Sequence, residues 1–127
     1  MWIGEAAANA IHLRQIAEHG GSEGIRDRNL LLSALDRPQN LFHYSEEKPN
    51  FAALAAAYAF GIAKNHPFID GNKRIALVVS RTYLKVNAHD IEATQEEKYR
   101  TFLALADGSL SEEELISWFS SKMREVS

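Results

Sequence analysis

His66-Pro67-Phe68-Ile69-Asp70-Gly71-Asn72-Lys73-Arg74, continuing into Ile75-Ala76-Leu77-Val78-Val79, is the stretch on which the reading of this chain depends. The first part is dense in chemically useful side chains. The second part is apolar nearly all round, with Arg81 its first later charge, and a helix of that kind belongs at the centre of a domain. The N-terminus of that helix is then expected at the floor of a cleft, with reactive groups on the loop before it.

Helix N-termini carry free N–H groups and the positive end of the macrodipole, and they bind anions. Gly71 lets a phosphate approach the backbone, Asn72 adds side-chain donors, and Lys73 and Arg74 add two cations. Cations at this end oppose the dipole, and an anionic ligand removes that cost. Asp70 is a hard oxygen ligand that suits Mg²⁺, which takes one or two carboxylates plus phosphate oxygens. His66 can accept a proton from a hydroxyl near neutral pH. Phe68 and Ile69 are expected to pin the loop to the core. The plain alternative is an Asp/Gly-capped helix with a solvated first turn. So many such groups within nine positions weigh against it.

At 127 residues the chain reads as one domain, 1–127, able to bury a core without staples. It has no cysteine, hence no disulfide framework and no thiolate metal site. A net charge of −3 argues against nucleic-acid binding driven by phosphate neutralisation. The start of the chain lacks a basic region leading into a long apolar run, and Phe51 to Ala63 is too short to span a bilayer. The expectation is a soluble, cytoplasmic protein.

Trp2 to His19 reads as a helix, with Ile3, Ala7, Ala10, Ile11, Arg14 and Ala17 spacing its faces. Gly20-Gly21 stops it, and Gly20 to Gly24 reads as a connector, without the Lys-Ser/Thr of a P-loop. Asp27 caps a helix from Arg28 to Leu35 or Asp36, which Pro38 ends. Gln39 to Asn50 shows no helical period and reads as a loop, hairpin or flap. Phe51 to Asn65 is an Ala-rich helix that delivers His66, and Gly71 to Val86 is the central helix. His89 to Glu92 is a turn or short extended piece. Thr94 with Glu97, and Ser111 with Glu114, open two further helices as capping boxes. The fold class is all-α, a small bundle of about six helices around a buried central helix. His12, His19, His43 and His89 show no metal-ligand spacing and default to packing or surface roles.

The 66–74 stretch resembles the Fic motif, H-P-F-x-D/E-G-N-x-R, at every defined position. The likeness is strongest to the death-on-curing (Doc) branch, the toxin half of Phd/Doc-type toxin–antitoxin pairs. Doc-like members carry Lys after the Asn, as Lys73 does, and Leu77 stands where Fic adenylyltransferases have a second Arg. Gly-Gly-x-x-Gly-Ile-Arg-Asp at 20–27 and Leu-Leu-x-Ser-Ala-Leu-x-Arg-Pro up to Pro38 extend the likeness. It covers nearly the whole chain and implies a single Fic/Doc domain.

The resemblance implies a protein Ser/Thr kinase of the Doc type, with His66, Asp70, Lys73 and Arg74 catalytic. It assigns Phe68, Gly71, Asn72, Lys73 and Arg74 to cofactor binding and Asp70 to the metal, the cofactors being ATP and Mg²⁺. His66 is the general base on a Ser or Thr of the target. A translation factor is the implied target and growth arrest the outcome. AMP transfer by a Fic-type adenylyltransferase is the alternative, and an inactive Doc-like binding module is the non-enzymatic one. In Fic-like proteins the segment matching Gln39–Asn50 lies beside the active site. No Ser/Thr-x-x-x-Glu-Gly/Asn inhibitory segment is found, since Glu23-Gly24 has His19 at its first position. Inhibition is therefore expected in trans, from a cognate antitoxin. Relatives often have His-Asp where His12-Leu13 stand, a Glu at Leu32 and a Thr at Ile75. If those polar residues cluster, this chain has exchanged a buried polar network for apolar packing, which puts the orientation of the site in question.

Overall fold

The computed structural model describes residues 1–126. The described residues form α1 (Glu5–His19), α2 (Arg28–Tyr44), α3 (Phe51–Asn65), α4 (Asn72–Val86), β1 (His89–Ile91), α5 (Gln95–Asp107), α6 (Glu112–Lys122) and β2 (Met123–Glu125). β1 and β2 pair antiparallel, His89 opposite Glu125 and Ile91 opposite Met123. The expected all-α bundle of about six helices is what forms, with this small ribbon closing one end.

Helix starts follow their caps. The side chains of Asp27, Asn50, Thr94 and Ser111 each accept a backbone N–H from the first turn they open, at 2.9–3.1 Å. At Ser111 the box closes fully, because Glu114 accepts the Ser111 N–H at 3.0 Å. Glu97 also reaches Lys122 at 2.8 Å, which ties α5 to the end of α6.

The centre is α3. Its residues from Leu54 to Ala59, together with Ala52, Gly61, Ile62 and Ala63, are all buried. Its small side chains let neighbouring helices approach closely: a Cβ on Gly61 would stand 3.3 Å from the Ala34 backbone of α2. The Gly71 to Val86 helix expected at the centre, which forms as α4, lies beside it. One face of α4 is buried through Ile75, Ala76, Val79, Ser80, Tyr83 and Leu84, while Leu77, Val78 and Arg81 are half-buried on a cleft wall.

Pro38 does not end α2, which runs on to Tyr44. A proline inside a helix removes one backbone bond and costs about 3 kcal/mol in isolation. Packing offsets this: Pro38 is itself buried, Leu41 and Phe42 pack on the core, and Arg37 pairs with Glu112 at the start of α6. The expected loop is therefore helical over its first half, and no residue from 39 to 50 lines the cleft. In α1 the buried face is also shifted from the expected one. Ala7, Ala10 and Ala17 are exposed, while Ala8 and His12 are buried.

Candidate active site

His66 is the C-cap of α3, in the left-handed conformation at φ 47° and ψ 55°. Arg26 holds it there. Its guanidinium donates to the carbonyls of His66 at 2.7 Å and Asn65 at 2.8 Å. Those oxygens are among the unpaired acceptors of a helix end, where a cation also suits the dipole. The His66 ring is left exposed on the cleft.

The loop from His66 to α4 is braced from several sides. Pro67 O accepts the Arg26 N–H at 2.7 Å, and Ile69 donates its N–H to Gly24 O at 3.0 Å. Inside the loop, the Asn72 side chain accepts the Phe68 N–H at 3.0 Å and donates to Phe68 O at 2.9 Å. Asn72 thereby holds the loop with the amide read from the sequence as an anion donor, although it also borders the cleft. Phe68, which the resemblance assigns to cofactor binding, is fully buried and is not among the residues that line the cleft, and it pins the loop to the core. Ile69 is 56 % exposed and does not pin the loop to the core.

The Gly20–Gly24 connector proves to be part of this brace. Ser22 donates its N–H to Asp70 Oδ2 at 3.2 Å, and Gly71 donates to Asp70 Oδ1 at 2.9 Å. Gly24 donates its N–H to His12 Nε2 at 3.0 Å. Sequence reasoning missed the roles of Arg26 and of these glycines. The available signal was the Gly-Gly-x-x-Gly-Ile-Arg-Asp pattern itself.

His12 is 2 % exposed and stacks on Phe68, centroids 4.4 Å apart. With Nε2 accepting, Nδ1 carries the proton and is buried without a partner among the described residues. Burial holds the His12 pKa below its ordinary 6.5, against the opposing pull of Glu23 and Asp70. The folded state thus favours neutral His12. Its contribution is fully present above the unfolded pKa of about 6.5 and is lost as pH falls through the lower folded value. Chemical denaturation is expected to show a steeper loss of stability in wild type than in His12→Gln, which keeps an acceptor without titrating, as pH falls from about 6.5 through the lower folded value. Equal slopes would show that His12 does not set this dependence.

α4 starts at Gly71, which is left-handed at φ 79° and gives no side-chain cap. The N–H groups of Asn72, Lys73 and Arg74 therefore head the helix without a side-chain cap among the described residues. Lys73 places its ammonium over the Tyr99 ring, 4.9 Å from the centroid. Among the described residues, neither Lys73 nor Arg74 takes part in an ion pair. His66, Asp70, Gly71, Asn72, Lys73 and Arg74 all line one cleft of about 900 Å³, with walls from α1 and α5. That volume suits a small-molecule ligand.

The donor set fits Mg²⁺ held with a phosphate ligand. A carboxylate offers about four acceptor sites, and backbone N–H groups take two of those on Asp70. Among the described residues, no group of three or more His, Cys, Asp or Glu could hold a metal by itself. A single carboxylate beside an anion site is the arrangement Mg²⁺ uses with nucleotide phosphates.

The three aliphatic positions do not share one environment. Ile75 is fully buried, Leu32 is half-buried and Leu13 is 51 % exposed. No described helix is long and apolar enough to cross a membrane. A curated relative, Toxin Doc of Mycolicibacterium smegmatis, is 36 % identical over 74 residues, which are 58 % of this chain and 57 % of that protein. The chain thus matches little more than half the length of that relative. The profile described as Fic/DOC family matches residues 2–84, from the start of the chain through the braced loop and α4. On that match the chain belongs to the Fic/Doc family.

Proposed function

We propose that this chain is a Doc-like toxin that transfers a phosphoryl group from ATP to a Ser or Thr hydroxyl of a target protein. The observation that carries the reading is the cleft shared by the exposed His66 ring, the Asp70 carboxylate and an uncapped helix N-terminus flanked by Lys73 and Arg74, neither of which takes part in an ion pair among the described residues. His66 accepts the hydroxyl proton as the new oxygen–phosphorus bond forms. The bond from the γ-phosphorus to the β–γ bridging oxygen breaks, and ADP leaves. The N–H groups of Asn72, Lys73 and Arg74, with the Lys73 and Arg74 side chains, stabilise charge on the transferred group. Mg²⁺ at Asp70 would neutralise phosphate charge.

The similarity to a protein named Toxin Doc supports the toxin part of the reading. A translation factor is the proposed target, and an antitoxin supplied in trans the proposed restraint. Lys73 and Leu77 favour phosphoryl over AMP transfer, as in the Doc branch.

The test is mass spectrometry of cytosolic proteins incubated with purified protein and Mg-ATP, wild type against His66→Ala. One added phosphate is expected, with the His66→Ala rate lower by about 10²- to 10⁴-fold. Addition of AMP would replace the kinase reading with Fic-type transfer. No modification by folded protein, together with harmless high-level expression, would sink the enzyme and toxin readings and leave a binding module.

A further inference from the structure

Lys98 lies on the fourth residue of α5, is 8 % exposed and lines the same cleft as the α4 N-terminus. Lysine is almost never buried unless paired. Here its side chain has no ion-pair partner among the described residues. The carboxylates nearby do not supply one. Glu97 is held by Lys122 at 2.8 Å, and Glu18 on the α1 wall is held by Arg14 at 3.0 Å. A cation close to a helix N-terminus also opposes the dipole. The Lys98 ammonium is not among the buried polar atoms left without a partner, so the buried stem carries its charge out to the cleft, where no ion pair among the described residues offsets its place near the helix start.

The setting says what would. Lys73 lies over the Tyr99 ring, so the first turns of α4 and α5 meet at this corner of the cleft. Lys73, Arg74 and Lys98 are three lining cations without carboxylate partners among the described residues. The other cleft arginine, Arg81, is already neutralised by Asp90 at 2.9 Å. We propose that Lys98 binds the phosphate tail of the nucleotide, as a third cation that closes the anion site from the α5 side. This rests on the nucleotide reading given above, and it lies outside the 66–74 motif.

Isothermal titration of the whole chain tests it, with inorganic tripolyphosphate, Mg-ATP and adenosine as probes. Lys98→Met is expected to bind tripolyphosphate and Mg-ATP about 10-fold more weakly, the scale of one charged hydrogen bond, with adenosine unchanged. Lys98→Arg should restore most of the loss. The Met variant should melt at or above the wild-type temperature, because it keeps an apolar stem in place and removes a cation that opposes the α5 dipole.

Equal affinities for wild type and Lys98→Met would overturn the proposal while leaving the nucleotide reading intact. So would a Met variant that melts far below wild type and is not rescued by Arg, since Lys98 would then be structural. Wild type that binds neither anion would sink both readings. Lys98-dependent binding of tripolyphosphate with refusal of Mg-ATP would keep the anion site and remove the nucleotide. If Lys98→Met weakened only an acidic peptide, Lys98 would belong to a protein partner instead.

Discussion

Replacing Asn72 with alanine is expected to lower folding stability by about 2–6 kcal/mol, read as a shift in the denaturation midpoint at constant slope. The amide spans the Phe68 N–H and C=O, at 3.0 and 2.9 Å, and Asn72 itself is only 8 % exposed. Alanine leaves both Phe68 groups buried without partners, each such group costing about 1–3 kcal/mol. Asn72→Asp sharpens the test. A carboxylate keeps the acceptor for the N–H and places a second oxygen against Phe68 O, so it is expected to destabilise as well. If Asn72 served only to contact a ligand, both variants would melt like wild type and lose only binding. Loss of stability together with loss of nucleotide binding would show that the site is held through this residue.

That contrast shows what the sequence carried and what it did not. The 66–74 stretch revealed the site because its chemistry is local: a histidine, a carboxylate, a glycine and two cations at one helix start. Helix starts at Asp27, Thr94 and Ser111 were legible for the same reason, since a cap acts within three residues. The work of Asn72, Phe68 and Ile69 was not legible. Only the fold shows that the Asn72 amide turns back on Phe68, that Phe68 packs on His12, and that Ile69 faces out.

The remaining differences are also long-range. Pro38 carries a local signal to stop a helix, and burial of Pro38 with the packing of Leu41 and Phe42 against the core overrides it. Alanines at 7, 8 and 10 fit either face of α1, so composition alone could not set its phase. Buried His12, bonded to Gly24 twelve positions away, settles it. The separate environments of Leu13, Leu32 and Ile75 bear on the question raised by their aliphatic character. They are not one exchanged buried network, since Leu13 lies in solvent. The braces on Asp70 and Asn72 are complete without them.

Gly21→Ala is expected to reduce the proposed transfer by about 10- to 100-fold, the scale of a reacting group displaced by about 1 Å. A Cβ at Gly21 would stand 2.7 Å from Asp70 Oδ2, closer than side-chain contacts allow, and 3.2 Å from Ile16 Cδ1. Asp70 is a short side chain fixed by Ser22 and Gly71 N–H groups, so yielding means losing at least the 3.2 Å bond from Ser22. The backbone adds strain, because φ at Gly21 is +113°, where alanine costs about 1–3 kcal/mol. Gly20→Ala separates the two effects. It has a comparable backbone penalty at φ +80° but meets nothing within 4 Å. Both variants should lose similar stability, while only Gly21→Ala should lose transfer and need more Mg²⁺ to bind ATP. Equal losses of activity in the two would mean that loop strain, and not the placement of Asp70, is what the glycines protect. Retained activity in Gly21→Ala would mean that the Asp70 position seen here is not the one the chemistry uses.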